Sequence, residues 1–176
     1  MKWFLKISIV IFSLVVLAVP VWAQFPFFDN PLTGKPAPDF TLSTLNGKAV
    51  NMTQYRNNQK AIIFFWATWC PHCRVALKEL NQDMSKIQSQ GIKLIVIDLG
   101  EDEYQVRSYV KKSKYTLDIF LDKESSLAEP YGIIGVPTFF FVDEKGIIKT
   151  VKHSMPENFE EIFGPAATTA TKLPQK

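Results

Sequence analysis

The chain has 176 residues, 47% hydrophobic, 13% aromatic and 21% charged, which is enough apolar surface for one core and too much for a disordered chain. Eight glycines and eleven prolines fall without a short period, excluding collagen-like, solenoid and mucin-like architectures. The formal charge is +3, yet Lys2 and Lys6 lie in a removable segment, so the rest is almost neutral and nucleic acid is not expected as a partner.

Residues 1–6 carry those two lysines, and residues 7–19 then run apolar with only Ser8 and Ser13 as polar interruptions. Pro20-Val21-Trp22-Ala23 follows. A basic start, an apolar stretch, a helix breaker and a small residue make residues 1–23 an export signal cleaved after Ala23, the alternative being a retained membrane anchor. Either way the remainder works outside the cytoplasm, in a periplasmic or other extracytoplasmic setting where disulfides persist.

Residues 24–38, rich in proline and aromatics, read as an extended arm with irregular backbone. The domain itself is expected over residues 39–163. Residues 39–43 and 48–51 flank Asn46-Gly47, a dipeptide suited to a tight hairpin turn. Residues 60–66 (KAIIFFW) and 93–99 (KLIVIDL) are apolar runs expected of central strands covered on both faces. Between them Cys73, Leu77, Leu80, Met84 and Ile87 recur at helical spacing and Gly91 stops the helix, giving a β-α-β unit. A second helix is expected over residues 102–112, acidic at its start and basic at its end as the helix dipole favours. A strand over 115–121 and a hairpin from 138–142 to 147–151 follow, then a closing helix over 157–163. Residues 164–176 have little to bury and read as a flexible tail. The fold class is α/β: a central mixed β-sheet flanked by helices, with an N-terminal β-hairpin and an inserted helix.

The chemistry sits at Cys70-Pro71-His72-Cys73, where the first central strand gives way to the longest helix. Cys73 shares the apolar stripe of Leu77 and Leu80, whereas Cys70 lies at the helix cap, where free N–H groups and the positive dipole end favour an anion. Cys70 is therefore expected to be the exposed thiolate. Pro71 suits the first helical turn because its missing N–H has no partner there. A Cys70 thiolate can attack a partner's disulfide, and Cys73 can resolve the mixed disulfide by attacking in turn. The same spacing serves metal sites and inert bridges, although His72 and His153 are the only histidines that could add ligands.

The run Phe64-Phe65-Trp66-Ala67-Thr68-Trp69-Cys70-Pro71-His72-Cys73 resembles thioredoxin-like proteins. With the opening Gly34-Lys35-Pro36-Ala37-Pro38-Asp39-Phe40 and the block from Tyr131 to Thr138, residues 34–151 are most similar to the extracytoplasmic TlpA/ResA-type family of thiol–disulfide oxidoreductases. That resemblance implies a thioredoxin-like fold and an enzyme with no cofactor beyond the redox pair Cys70–Cys73. It also implies protein thiols and disulfides as substrates, a redox partner protein that can be membrane-bound, and reduction of apocytochrome c as a common task. Val136, Pro137 and Thr138 correspond to the family's cis-proline segment, which lies against the cysteines and pairs with the substrate backbone. Trp69, Pro71 and His72 would modulate the site, and Trp66 and Trp69 could form its platform.

The family's buried acids are missing. Phe64 stands six residues before Cys70 where cytosolic thioredoxins carry Asp, and Ala76 stands three after Cys73 where many relatives carry Glu, leaving solvent to take the proton of Cys73. Thiol peroxidases share the fold but place Pro and Thr seven and three residues before their cysteine, where Ile63 and Ala67 stand; a metallochaperone using both thiols is the non-enzymatic alternative. Glu101, Asp102 and Glu103 read as a charged rim or a solvated helix start, and His153 as a solvated surface residue. A protonated His72 would stabilise the Cys70 thiolate and make the pair more oxidising, as in periplasmic oxidants with Cys-Pro-His-Cys. Family membership pulls towards a reductant, so an intermediate potential is expected.

Overall fold

The computed structural model describes residues 30–164. The export segment, the first residues of the arm and nearly all of the tail lie outside them. Among the described residues no helix is long and apolar enough to cross a membrane.

Strands β1 (Thr41–Thr44) and β2 (Ala49–Asn51) form the first hairpin, its turn carrying Gly47 at φ +75°, a conformation that favours glycine. A short helix α1 (Met52–Arg56) follows. Five residues are too few to show helical periodicity, so no pattern in the residues announces it. It is capped by the Asn51 side chain, which accepts from Gln54 N–H at 3.0 Å. The buried Arg56 donates to the carbonyls of Gln59, Asp143 and Glu144, tying α1 to the turn of a distant hairpin.

Strand β3 (Lys60–Trp66), helix α2 (Pro71–Ser89) and strand β4 (Ile92–Leu99) form the β-α-β unit, with β3 and β4 parallel. Helix α3 (Glu103–Ser113) starts at Asp102, whose carboxylate accepts from Tyr104 N–H at 2.7 Å. Strand β5 (Ile119–Asp122) begins four residues later than the expected 115. Helix α3 ends in left-handed backbone at Lys114, Tyr115 N–H returns to the Val110 carbonyl and Thr116 N–H bonds Asn81, so residues 115–118 are occupied in turning the chain. Strands β6 (Thr138–Val142) and β7 (Ile148–Lys152) are antiparallel. The expected closing helix is only a 3-10 turn, Phe159–Phe163, whose first residue has no side-chain cap; its role is to bury Phe159 and place Phe163 against Phe141.

The sheet has seven strands in the order β2-β1-β5-β4-β3-β6-β7. Alternation along each strand divides the core. One layer holds Phe64, Trp66, Leu94, Val96 and Leu121 under the α2 side chains Cys73, Leu77 and Leu80. The other gathers Phe65, Ile97, Phe140 and Tyr131, with the Tyr131 hydroxyl donating to the Pro38 carbonyl at 2.6 Å. Fully burying each of Leu77 and Leu80 contributes about 1.5–3 kcal/mol, enough to fix α2 on the sheet. In the described part of the arm, Gly34, Lys35 and Ala37 exchange backbone hydrogen bonds with Gly146 and Ile148. These arrangements set the start of α2 at the C-terminal ends of β3 and β4.

Candidate active site

Four residues link Trp66 to α2. Cys70 N–H bonds the Ala67 carbonyl at 3.2 Å, closing a turn that delivers Cys70 to the N-cap. Pro71 takes the first helical position, and Cys70 Sγ accepts from Cys73 N–H at 3.1 Å. That bond and the unpaired amides of the first turn stabilise negative charge at Cys70 and not at Cys73. The two cysteines are joined in a disulfide with Cα atoms 5.2 Å apart. One expectation is corrected: Cys70 is only 4% exposed, against 0% for Cys73. The segment before β6 folds over it, bringing the Val136 carbonyl oxygen to 3.6 Å from Cys70 Sγ.

The Val136–Pro137 bond is cis. Thr138 Oγ1 donates to the Gly135 carbonyl at 2.7 Å, and His153 Nδ1 lies 3.1 Å from the Pro137 carbonyl and 3.3 Å from Thr138 Oγ1. The single Thr138 hydroxyl proton is committed to Gly135, so an Nδ1–H of His153 donates to Pro137. His153 is solvent-exposed, as read from the sequence, but it is not idle: it pins the segment that covers Cys70. Nothing in the sequence signals this contact, which spans sixteen residues across a hairpin.

The two tryptophans separate. Trp66 is fully buried beside Tyr109, whereas Trp69 is 68% exposed next to Cys70. Ile134, 92% exposed, precedes the cis-proline segment by two residues. Exposed apolar side chains on both segments that meet at the disulfide suit a protein substrate. His72 points to solvent on α2.

Glu101 is corrected from rim to interior. It is 7% exposed, and its carboxylate accepts from Thr68 N–H and, at 2.6 Å, from the Thr68 hydroxyl. The segment after β4 thereby holds the loop that leads into Cys70. Asp98 on β4 was missed altogether. It is fully buried with neither carboxylate oxygen hydrogen-bonded, and burial first, then the adjacent Glu101 carboxylate, pushes its pKa up to about 8. The one signal was in plain view: an acid inside KLIVIDL, a run apolar enough to be covered on both faces, has to be buried too.

The AhpC/TSA family matches residues 33–151. Thiol-disulfide oxidoreductase ResA of Geobacillus thermodenitrificans is 28% identical over 149 residues, covering 84% of each chain. Sporulation thiol-disulfide oxidoreductase A of Bacillus subtilis is 32% identical over 116 residues, which is 64% of this chain and 69% of that protein. The crystal structure of StoA from Bacillus subtilis superposes with a TM-score of 0.62 at 30% identity, covering 72% of this chain and 96% of that one.

Proposed function

This chain belongs to the AhpC/TSA family and is a thiol–disulfide oxidoreductase of the ResA type with a thioredoxin-like fold, and from that premise we propose that it reduces protein disulfides outside the cytoplasm. Cys70 is the nucleophile and Cys73 the resolving thiol. The observation that carries this assignment is Cys70 Sγ accepting from Cys73 N–H at the cap of α2, an interaction open to one sulfur only. An attacking Cys70 thiolate forms a bond to one sulfur of the substrate disulfide and expels the other as a thiolate. Cys73 then attacks Cys70 Sγ, releasing the second substrate sulfur and restoring the disulfide, so two electrons pass to the substrate.

The backbone of Val136 and Thr138 flanking Pro137 is where an extended substrate segment docks, with Trp69 and Ile134 supplying apolar contact. A reducing direction is supported by the exposure of His72: in water a charge on its imidazole would be screened and would add little to stabilising the Cys70 thiolate. Apocytochrome c cysteines are the substrate class we favour, with a redox partner protein returning electrons to the pair. A peroxidase reading finds no support, because Ile63 and Ala67, buried in the core, bring no hydroxyl to orient peroxide.

Trapping tests the reading. A Cys73→Ser variant should accumulate mixed disulfides on Cys70 with extracytoplasmic proteins, and mass spectrometry should find haem-attachment cysteines among them. Captured partners confined to disulfide-forming enzymes, or no adduct on Cys70, would reverse the direction or the assignment.

A further inference from the structure

Reduction of the disulfide creates a thiolate at Cys73, inside the core, and the acids that relatives place at Phe64 and Ala76 are not there to manage its proton. The structure holds another. Asp98 lies on β4 in register with Trp66 of β3 and Leu121 of β5. By strand alternation it shares the face of Leu94 and Val96, the layer onto which α2 brings Cys73. That layer meets the first turn of α2 at the C-terminal strand ends, so the carboxyl and the inner sulfur occupy the same end of one core.

Among the described residues no cation pairs with Asp98. Strand β3 presents Trp66, with an unpartnered indole N–H; α2 presents Cys73; α3 presents Val106 and the half-buried Tyr109; β5 presents Leu121. Asp122, the next residue of β5, spends its carboxylate on Ser126 and Leu127. Glu101 closes the end and is itself anchored on Thr68. Burial first, and then the neighbouring Glu101 carboxylate, with no ion pair to offset them, favour the protonated form of Asp98.

We propose that Asp98 is the proton store for Cys73, giving its proton to the inner sulfur when the disulfide opens and taking it back when the disulfide closes. The inference rests on the exchange chemistry proposed above. On opening, an external thiolate bonds to Cys70 Sγ, the Cys70–Cys73 bond breaks with its electron pair going to Cys73, and the Asp98 carboxyl protonates that sulfur, leaving a carboxylate. On closing, the carboxylate takes the proton from Cys73 as its sulfur attacks Cys70 Sγ and the partner's sulfur departs as a thiolate. In the disulfide state described here Asp98, titrating near 8, carries its proton at neutral pH, as the opening step needs. A donor affinity this close to working pH suits proton transfer in both directions.

The test is stopped-flow opening of the oxidised protein by dithiothreitol across pH, read by fluorescence of the tryptophan beside Cys70 and corrected for the thiolate fraction of the reagent. The wild-type rate constant should fall as pH rises through about 8. Asp98→Asn should abolish that inflection and slow opening about 100-fold at neutral pH, the low end of a general acid's contribution. Glu101→Gln should move the inflection to lower pH by removing the neighbouring charge. An Asp98→Asn variant that keeps the wild-type inflection, or a wild type that has none, overturns the proposal. An infrared difference spectrum of the unmutated protein gives a second route: a protonated carboxyl band present before reduction and lost after it is expected, and an unchanged carboxyl region overturns the assignment. Failure to form any adduct on Cys70 in the Cys73→Ser trap sinks the exchange reading instead, so the two failures are distinguishable.

Discussion

The Val136 carbonyl oxygen stands 3.6 Å from Cys70 Sγ, so the residue that caps α2 and the residue that opens the cis-proline segment share one small surface. Whatever reaches Cys70 must also meet the backbone of Val136. A small thiol can approach the sulfur alone, whereas an extended polypeptide can pair with that backbone while its cysteine is attacked.

In the reduced protein, iodoacetamide should modify Cys70 before Cys73. The exposures differ by only four percentage points in the disulfide state, so the selectivity comes chiefly from the cap, which stabilises an anion on Cys70 alone. Peptide mapping after brief alkylation reads it, and faster labelling of Cys73 would reverse the roles.

His153→Ala removes the donor to the Pro137 carbonyl. A hydrogen bond of this kind contributes about 0.5–1.5 kcal/mol. The variant should therefore lose roughly 2- to 10-fold in kcat/KM towards a protein disulfide while reacting normally with dithiothreitol. Equal losses with both substrates would place the effect on the sulfurs and not on the docking segment.

Thr68→Val strips a hydroxyl partner from Glu101, whose carboxylate is buried. Leaving that acceptor short of a donor costs about 1–3 kcal/mol. Urea denaturation should show the loss with an unchanged slope.

Asp98 makes stability fall with pH. Its folded-state pKa is raised from 3.8 to about 8, so between those values the native state binds a proton that the unfolded chain has lost. The contribution is complete at low pH, drains away across that window and is gone above about 8. Asp98→Asn should gain on the wild type progressively from about pH 4 to 8, by a few kcal/mol at the upper end, and level off beyond it. Urea denaturation across pH checks this; a gain that shrinks towards high pH has the wrong sign.

His72→Ala should lower the redox potential by less than about 30 mV, a tenfold change in the exchange equilibrium. The direction follows from removing a charge that favours the thiolate, and the small size from the exposure of the imidazole. Equilibration with glutathione buffers measures it.

What the sequence disclosed was local and repetitive. KAIIFFW and the stripe from Cys73 to Ile87 announce a buried strand and the helix packed on it, because burial on two faces or on one leaves a period in the residues themselves. The cap at Cys70 is legible for the same reason. What stayed hidden depends on segments far apart: Glu101 looked like one of three solvated acids until Thr68 was placed beside it, and His153 looked idle until the hairpin brought it to Pro137. The closing segment is no full helix because one uncapped turn around Phe159 and Phe163 has the composition of a helix without the length to propagate one.

The sheet grades from a three-residue edge strand and the polar TLST beside it, through strands with few polar side chains, to the mixed IKTVK of the far edge. Just inside that far edge TFFFV lies beside KAIIFFW, all buried apart from Lys60. Released from the fold, these are segments of the kind that stack into intermolecular β-structure, while the short and polar borders give a second molecule little to pair with. Such borders discourage pairing between copies only as long as the apolar strands between them stay shut. Heating should end in aggregation rather than a reversible transition, which makes the persistence of this protein a matter of how slowly it opens and not of how much free energy separates its end states.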